Sequence, residues 1–193
     1  MNKQELLTRG EALMSLFCGL NGLEVPPVFV RSRAEWPFGA CAYYRPTKIE
    51  ICLEACAHVG TAGRSWSFPG YSVDRTPFGV IAHELGHHAD VTKSSRSRGY
   101  LGDYSVRVRA ESGEERLTSY CPNDGEWFAE MFRLFVTNPN LLKAIRPRTH
   151  ALLARDFQPV VKGFWEEVLS DAPDRTLMAC RRKVDEARRK YGA

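Results

Sequence analysis

The sequence has no long apolar run. In its first 20 residues, charges at Lys3, Glu5, Arg9 and Glu11 interrupt the apolar side chains, whereas a signal-peptide core or a membrane span needs an uninterrupted apolar stretch. The sequence therefore predicts neither, and we expect a cytoplasmic protein with no membrane partner. It also shows no internal repeat and no low-complexity tract.

The chain also lacks a strong charge of one sign. Its 27 basic side chains stand against 23 acidic ones among 193 residues, for a net charge of +4. Dedicated nucleic-acid binders usually carry a larger positive excess, so the net charge alone predicts no partner. The basic runs Arg181-Arg182-Lys183 and Arg188-Arg189-Lys190 leave a nucleic-acid contact through the C-terminal helix open. A solvated surface of that helix is the alternative.

Cysteine is present, but not in the pattern of a disulfide scaffold or a zinc finger. A chain of 193 residues with 44% hydrophobic content can bury a core without disulfides. We therefore expect its six cysteines to be reduced and mostly buried. Cys52 and Cys56 have the spacing CxxxC, but no second pair matches it, which argues against a zinc finger.

The apolar pattern predicts one α+β domain, with a catalytic core at 1–139 and a helical extension at 140–193. Besides the N-terminal helix, two helices are predicted in the core from their end signals. One begins at Thr76-Pro77, and the other runs from Asn123 and stops before Asn138-Pro139. The other predicted elements are a helix at 3–20, strands at 28–30, 40–44 and 48–53, loops at 60–75 and 92–118 (the second a long loop or short ribbon), and three or four helices after 140.

The strand at 48–53 alternates apolar and polar side chains. Ile49, Ile51 and Leu53 face one side of it and Lys48, Glu50 and Cys52 the other, as expected of a half-exposed strand. We predict that it forms a sheet edge to which a substrate peptide can add. An ordinary half-buried strand is the alternative.

The most informative segment is His83-Glu84-Leu85-Gly86-His87. Residues four apart lie on one face of an α-helix, so both imidazoles can bind one metal ion. The glutamate beside the first histidine can reach a water on that ion and act as a general base. This HExxH pattern is typical of zinc peptidases, and it predicts one bound Zn²⁺ ion.

A third ligand must come from elsewhere, because catalytic zinc normally has three protein ligands. His88 points about 100° away around the helix. Glu126 is the better candidate, since it shares one helix face with Glu130 and Arg133. From the residues alone, Glu126 can instead cap its own helix together with Asn123. Glu130 can be a solvated charge, or it can orient a ligand histidine.

A family resemblance rests on two further segments, Leu117-Thr118-Ser119-Tyr120 and Glu126-Trp127-Phe128-Ala129-Glu130-Met131-Phe132-Arg133-Leu134. With the HExxH helix, they resemble the anthrax lethal factor catalytic domain and its relatives, which are gluzincin-type metallopeptidases. A looser similarity exists to the ImmA/IrrE metallopeptidases and to small phage metallopeptidases. Residues 92–116 and everything after Pro139 lie outside the resemblance.

The resemblance implies a zincin-like fold, in which a small antiparallel or mixed sheet packs on the HExxH helix and on a second zinc-ligand helix. It implies zinc on His83, His87 and Glu126, with Glu84 as the general base. It also implies that Tyr120 stabilises the transition state, although a tyrosine at this position can equally pack at a helix entry.

The predicted function is that of a zinc-dependent endopeptidase acting on a protein or peptide substrate. The alternative is a non-proteolytic regulatory module, or a nucleic-acid-associated protein, on the same scaffold. Glu84 favours the enzyme, because a binding module needs the metal at most and not the base.

Overall fold

The computed structural model describes residues 1–36, 39–60, 67–98, 101–117, 123–160, 164–170 and 172–191. Within these ranges the chain is α+β, as predicted, and no described helix has both the length and the apolar character needed to cross a membrane. The elements are α1 (Lys3–Asn21), β1 (Val28–Val30), a short 3-10 helix (Arg33–Glu35), β2 (Ala42–Arg45), β3 (Lys48–Ile51), α2 (Pro77–Lys93), β4 (Ser97–Arg98), β5 (Leu101–Gly102), α3 (Asp103–Ser112), α4 (Asp124–Thr137), α5 (Pro139–Ile145), α6 (Pro147–Asp156), α7 (Phe164–Val168) and α8 (Asp174–Tyr191).

The main sheet is mixed and has the strand order β1-β3-β2. Strand β1 pairs with β3 in parallel, and β2 pairs with β3 in antiparallel orientation through a tight turn. The prediction that the strand beginning at Lys48 forms a sheet edge is therefore wrong. Within the described part of the chain it is the central strand, and β1 and β2 are the edges.

The polar face of β3 is also more buried than its alternation predicts. Ile49 and Ile51 are fully buried on the inner face, as expected, but Glu50 on the outer face is only 9% exposed and Cys52 is fully buried. The Glu50 carboxylate is covered by three cations at 2.6–3.1 Å, which belong to Arg31, Arg45 and Lys48.

Helix α1 forms where local signals predict it. The Asn2 side chain accepts from the backbone N–H of Glu5, whose carboxylate accepts in return from the Asn2 backbone N–H. This capping box satisfies two donors at the start of the helix. Gly22, with φ of 63°, ends the helix in the left-handed conformation that glycine adopts without strain. Helix α1 packs against α2, where Gly10 leaves room for Ile81.

The core lies between α1, α2 and α4. Helix α4 contributes four fully buried aromatic residues, Trp127, Phe128, Phe132 and Phe135. Phe132 makes an edge-to-face contact with Phe17 of α1, with ring centroids 5.1 Å apart. Burying these rings supplies much of the hydrophobic stabilisation that holds the helices against one another.

The predicted loop at 92–118 contains a helix that the sequence analysis missed. The ribbon of β4 and β5 agrees with the prediction, but α3 follows it directly. Asp90 of α2, which is fully buried, accepts hydrogen bonds from the backbone N–H groups of Gly102 (2.9 Å) and Ser105 (2.7 Å). A side chain distant in sequence thus satisfies donors at the start of α3.

The C-terminal helices pack against α3 and α4 and against one another. Helix α5 contacts α4, α6 contacts α3, α4 and α5, and α8 contacts α5 through its buried face. The described residues after 138 form four helices, in agreement with the predicted three or four. Among the described cysteines the thiols are free and buried, as predicted, at Cys18, Cys41, Cys52, Cys56 and Cys180.

Candidate metal centre

Helix α2 carries the HExxH segment and begins at a well-defined cap. The Thr76 hydroxyl accepts from the Gly79 backbone N–H, and Pro77 occupies the first turn, where it costs no hydrogen bond. Buried Asp74 accepts from both the backbone N–H and the hydroxyl of Thr76, at 3.0 and 2.7 Å. Burial raises the pKa of Asp74 to about 6.

Helix α4 lies unusually close to α2 at the fourth residue of the motif. A Cβ built on Gly86 would lie 2.7 Å from the Cα of Ala129, so only glycine allows this separation. Ala129 is flanked in sequence by Phe128 and Glu130. The close approach therefore brings the polar face of α4, with Glu126 and Glu130, onto the histidines of α2.

Three candidate ligands converge there. The Nε2 atom of His83 lies 3.1 Å from one carboxylate oxygen of Glu126, and the Nε2 atom of His87 lies 3.6 Å from the other. Each of the three residues offers one possible ligand atom, and these atoms all lie within 4.8 Å of one another. His83 and His87 are 8% and 3% exposed, so the group is largely shielded from solvent.

Only half of the alternative capping pair forms at Glu126. The Asn123 side chain accepts from the Glu126 backbone N–H at 2.9 Å, which caps α4. The Glu126 carboxylate points to the imidazoles and not back to the helix start. The backbone of this residue thus belongs to the cap, and its side chain belongs to the cluster.

Glu130 contacts the other nitrogen of His83. Its Oε1 lies 2.8 Å from His83 Nδ1, and Arg133 donates to both Glu130 oxygens, at 3.3 and 2.9 Å. Arg133 is 1% exposed and also donates to the carbonyls of Tyr71 and Ser72, both at 2.9 Å. Glu130 is therefore held in place and is not a solvated charge. It fixes Nδ1 of His83 as the donor and leaves Nε2 facing Glu126.

The cluster is strongly polarised. Burial lowers the pKa of His83, but contacts with Glu126 and Glu130 outweigh it and raise this pKa to about 10. Burial by itself raises the pKa of the Glu126 and Glu130 carboxylates. His83 and His87 outweigh this effect and lower the pKa of Glu126. Arg133 and His83 likewise lower the pKa of Glu130, to about 2. The negatively charged Glu126 and Glu130 therefore face a positively charged His83. A metal cation can take the place of the proton on His83.

Glu84 lies beside the cluster but is not part of it. Glu84 is 6% exposed. Burial raises its pKa, and the nearby backbone N–H of Tyr44 partly opposes this rise. Tyr44 belongs to β2, so the base predicted from the sequence lies against an edge strand of the sheet. The sequence analysis missed this contact, because no local pattern links residue 44 to residue 84.

The donor set fits a zinc ion. Two imidazole nitrogens and one carboxylate are the ligands of a known class of catalytic zinc sites. Ligand atoms about 2 Å from a tetrahedral ion lie about 3.3 Å from one another. The imidazole Nε2 atoms of His83 and His87 lie 3.1 and 3.6 Å from different oxygens of the Glu126 carboxylate, near that value. With one ligand atom from each residue, the three atoms lie within 4.8 Å of one another.

The sequence analysis also considered Tyr120 and His88. Tyr120 falls within 118–122, outside the described residues. His88 faces away, as expected, with its Nε2 donating to the Glu24 carbonyl at 2.9 Å and its Nδ1 3.1 Å from the Tyr44 hydroxyl. Its imidazole thus links the chain before β1 to β2 and is not part of the candidate metal centre.

Comparisons of the chain with protein-family models, with curated proteins and with solved structures found no match. The functional interpretation therefore rests on the residues and geometry of this chain.

Proposed function

We propose that this protein is a zinc-dependent endopeptidase with a zincin-like fold. His83, His87 and Glu126 would hold one zinc ion, and Glu84 would be the general base. The convergence of both histidine Nε2 atoms on the Glu126 carboxylate, with Glu84 buried beside them, is the observation that carries the proposal.

The chemistry follows from the position of each side chain. A zinc ion at this site supplies Lewis acidity, which polarises a peptide carbonyl and makes water more acidic. Glu84 accepts the proton of the attacking water and passes it to the leaving amine. The raised pKa of Glu84 suits this role, because a carboxylate with a higher pKa is a stronger base.

The substrate would bind along β2. This strand is a sheet edge among the described residues, and the influence of its Tyr44 backbone on the pKa of Glu84 supports an edge that faces the proposed base. A peptide that adds to β2 as a further strand would place its backbone beside Glu84. Strand β2 thus replaces β3 as the proposed substrate edge.

The nucleic-acid alternative gains less support. On α8, the side chains of Arg181, Lys183 and Arg188 pair with Glu166, Glu186 and Asp185, at 2.9, 2.6 and 3.9 Å. Paired charges contribute less to phosphate binding. Arg182 also lies 3.9 Å from Glu186, so four of the six cations have an acidic neighbour.

The test compares the wild type with Glu84→Gln. Both are stripped with a chelator, reloaded with zinc, and assayed for metal content and for cleavage of casein and a broad peptide library. We expect Glu84→Gln to keep one equivalent of zinc and to lose about 10²- to 10⁴-fold in cleavage rate. Glu115→Gln, at an exposed position, is the matched control and should cleave normally.

Unchanged cleavage by Glu84→Gln would overturn the assigned mechanism. A wild type that binds zinc but cleaves no member of the library would overturn the endopeptidase and favour the regulatory module.

A further inference from the structure

The outer face of the main sheet combines exposed aromatic rings with basic side chains. The strand register places Phe29 of β1 and Tyr43 of β2 on either side of Glu50 of β3. Side chains alternate along a strand, so these three share the face opposite Ile49 and Ile51. Three cations surround the Glu50 carboxylate on this face. We call the following set the aromatic–basic face: Phe29, Arg31, Tyr43, Arg45, Lys48 and Glu50.

Both rings of the aromatic–basic face are open to solvent. Phe29 is 44% exposed and Tyr43 is 36% exposed, although phenylalanine is usually among the most buried residues. Trp36 supports the Tyr43 ring, with ring centroids 5.3 Å apart, and its indole N–H donates to the Ala40 carbonyl at 2.8 Å. Neighbouring strands lie about 4.8 Å apart, so the two rings project from backbones roughly 10 Å apart. They offer two separate surfaces on which flat groups can stack.

The cations of this face carry more charge than the carboxylate among them neutralises. Arg31, Arg45 and Lys48 all contact Glu50, at 2.6, 2.9 and 3.1 Å. Three positive charges and one negative charge leave a net charge of +2 on the face. The three basic side chains are 31–61% exposed, so they can contact a second anion. On α8, by contrast, four cations share three acidic neighbours.

Two of these cations also lie beside an aromatic ring. The Arg31 Cζ and the Lys48 Nζ are 5.8 and 5.7 Å from the centroid of the Phe29 ring, within the range of a cation–π contact. A polyanion with flat groups can therefore use a ring and a cation at one place. Single-stranded nucleic acid has this chemistry, because its bases stack on aromatic rings and its phosphates pair with cations. The carboxylates of an acidic peptide would pair with the cations but would leave both rings in water.

We propose that the aromatic–basic face binds single-stranded nucleic acid, with one base stacked on each ring and the phosphates paired with the three cations. A duplex fits poorly, because its bases are stacked on one another and cannot lie on the rings. Stacking of this kind tolerates different bases, since every base has a flat face. The proposal does not depend on zinc or on peptidase activity.

The first experiment measures how the wild type binds short single strands. Fluorescein-labelled oligo-dT and oligo-rU are titrated with the protein at several NaCl concentrations, and fluorescence anisotropy reports binding. We expect both strands to bind more tightly than a duplex of the same length, and the tighter of the two identifies the preferred nucleic acid. Each phosphate contact with a single strand contributes about −0.7 to the slope of log affinity against log salt, so three contacts predict a slope of about −2.

Variants of the two rings test stacking. Phe29→Leu and Tyr43→Leu each keep an apolar side chain and remove a ring. Each should lower the affinity about 5- to 150-fold, which corresponds to the loss of one stacked base, and should leave the salt slope unchanged. Phe29→Tyr keeps a ring at this position and should bind as the wild type does. Val106→Ala, at an exposed apolar position of α3, is the control and should also bind normally.

A variant of one cation tests the phosphate contacts. Arg45 is the most exposed of the three cations, at 61%, and Arg45→Gln should make the salt slope shallower by about 0.7. Arg189→Gln, at an exposed position of α8, is the matched control and should change neither the affinity nor the slope. Circular dichroism checks that each variant is folded.

The proposal is overturned if neither single strand binds, or if the duplex binds as tightly as they do. Normal binding by both ring variants would also overturn it, because the face would then act through charge alone. A loss of binding in Arg189→Gln but not in Arg45→Gln would move the site to α8. Equal affinity for poly-glutamate would show a surface for acidic peptides instead, and binding to phosphatidylserine vesicles without binding to either strand would show a membrane surface instead.

Discussion

Gly86 of α2 touches the backbone of Ala129 of α4, and a Cβ at residue 86 would come within 2.7 Å of the Ala129 Cα. A real Cβ does not approach a backbone carbon this closely. This contact sets the separation of the two helices that carry the histidines and the glutamates. Gly86, at the second variable position of the HExxH segment, thus determines whether Glu126 reaches His83 and His87.

We expect Gly86→Ala to push α4 away from α2. Overpacking of this kind costs about 1–3 kcal/mol, and the added methyl should also weaken zinc binding by moving Glu126. Gly19→Ala in α1 is the matched control, because nothing lies within 4 Å of its Cβ position and alanine is favoured by about 0.5–1 kcal/mol in a helix. Urea unfolding and zinc titration measure both effects, and a Gly86→Ala protein as stable as wild type would contradict the role of the contact.

Loss of a residue that only orients a metal ligand lowers metal affinity about 10- to 100-fold. Glu126→Ala should lower zinc affinity by more than this. The physical reason is the loss of one of the three proposed ligands, since two imidazoles alone would not complete the coordination of the ion. Competition with a chromophoric chelator measures the affinity, with the exposed Glu115→Ala as the control. Full zinc retention by Glu126→Ala would give the third-ligand role to another group.

Glu130→Gln should affect both stability and the metal. It leaves the guanidinium of Arg133, 1% exposed, without its carboxylate, which costs about 3–5 kcal/mol in a buried pair. Loss of the charged partner on His83 Nδ1 should reduce zinc affinity about 10- to 100-fold. Combining it with Arg133→Met should recover part of the stability. If the two single effects simply add in the double variant, the pair is not coupled.

Glu50 should make folding stability depend on acid pH. Hydrogen bonds from Arg31, Lys48 and Arg45 lower the pKa of Glu50 to about 2, whereas in an unfolded chain the value is about 4.3. Because the folded pKa is the lower one, the stabilisation is present above about pH 4 and is lost as the pH falls towards 2.

The Glu50→Gln variant isolates this effect. The cations around residue 50 are partly exposed. Screening by solvent therefore limits the expected loss of folding stability to about 1–3 kcal/mol near pH 6. The difference from wild type should shrink as the pH falls from about 5 to about 2. Chemical unfolding at several pH values measures it, and a difference independent of pH would exclude the proposed linkage.

Elements with local signals were predictable. The cap at Asn2 and the glycine after Asn21 define α1, and Asn123 with Pro139 brackets α4. Helix α3 was missed because its sequence is mostly polar and its start depends on Asp90, more than ten residues away. The central position of β3 was also missed, since alternation shows which side chains share a face but does not show how many neighbours a strand has.

The candidate site divides in the same way. Helical periodicity alone determines that His83 and His87 share a face, because their spacing matches one helical turn. Their meeting with Glu126 and Glu130 depends on how closely two helices pack, and the contact of Tyr44 with Glu84 depends on where an edge strand lies. The contact of Arg75 with the Cys41 sulfur likewise joins two separate segments. Such contacts join residues far apart in the chain, so only tertiary packing decides them.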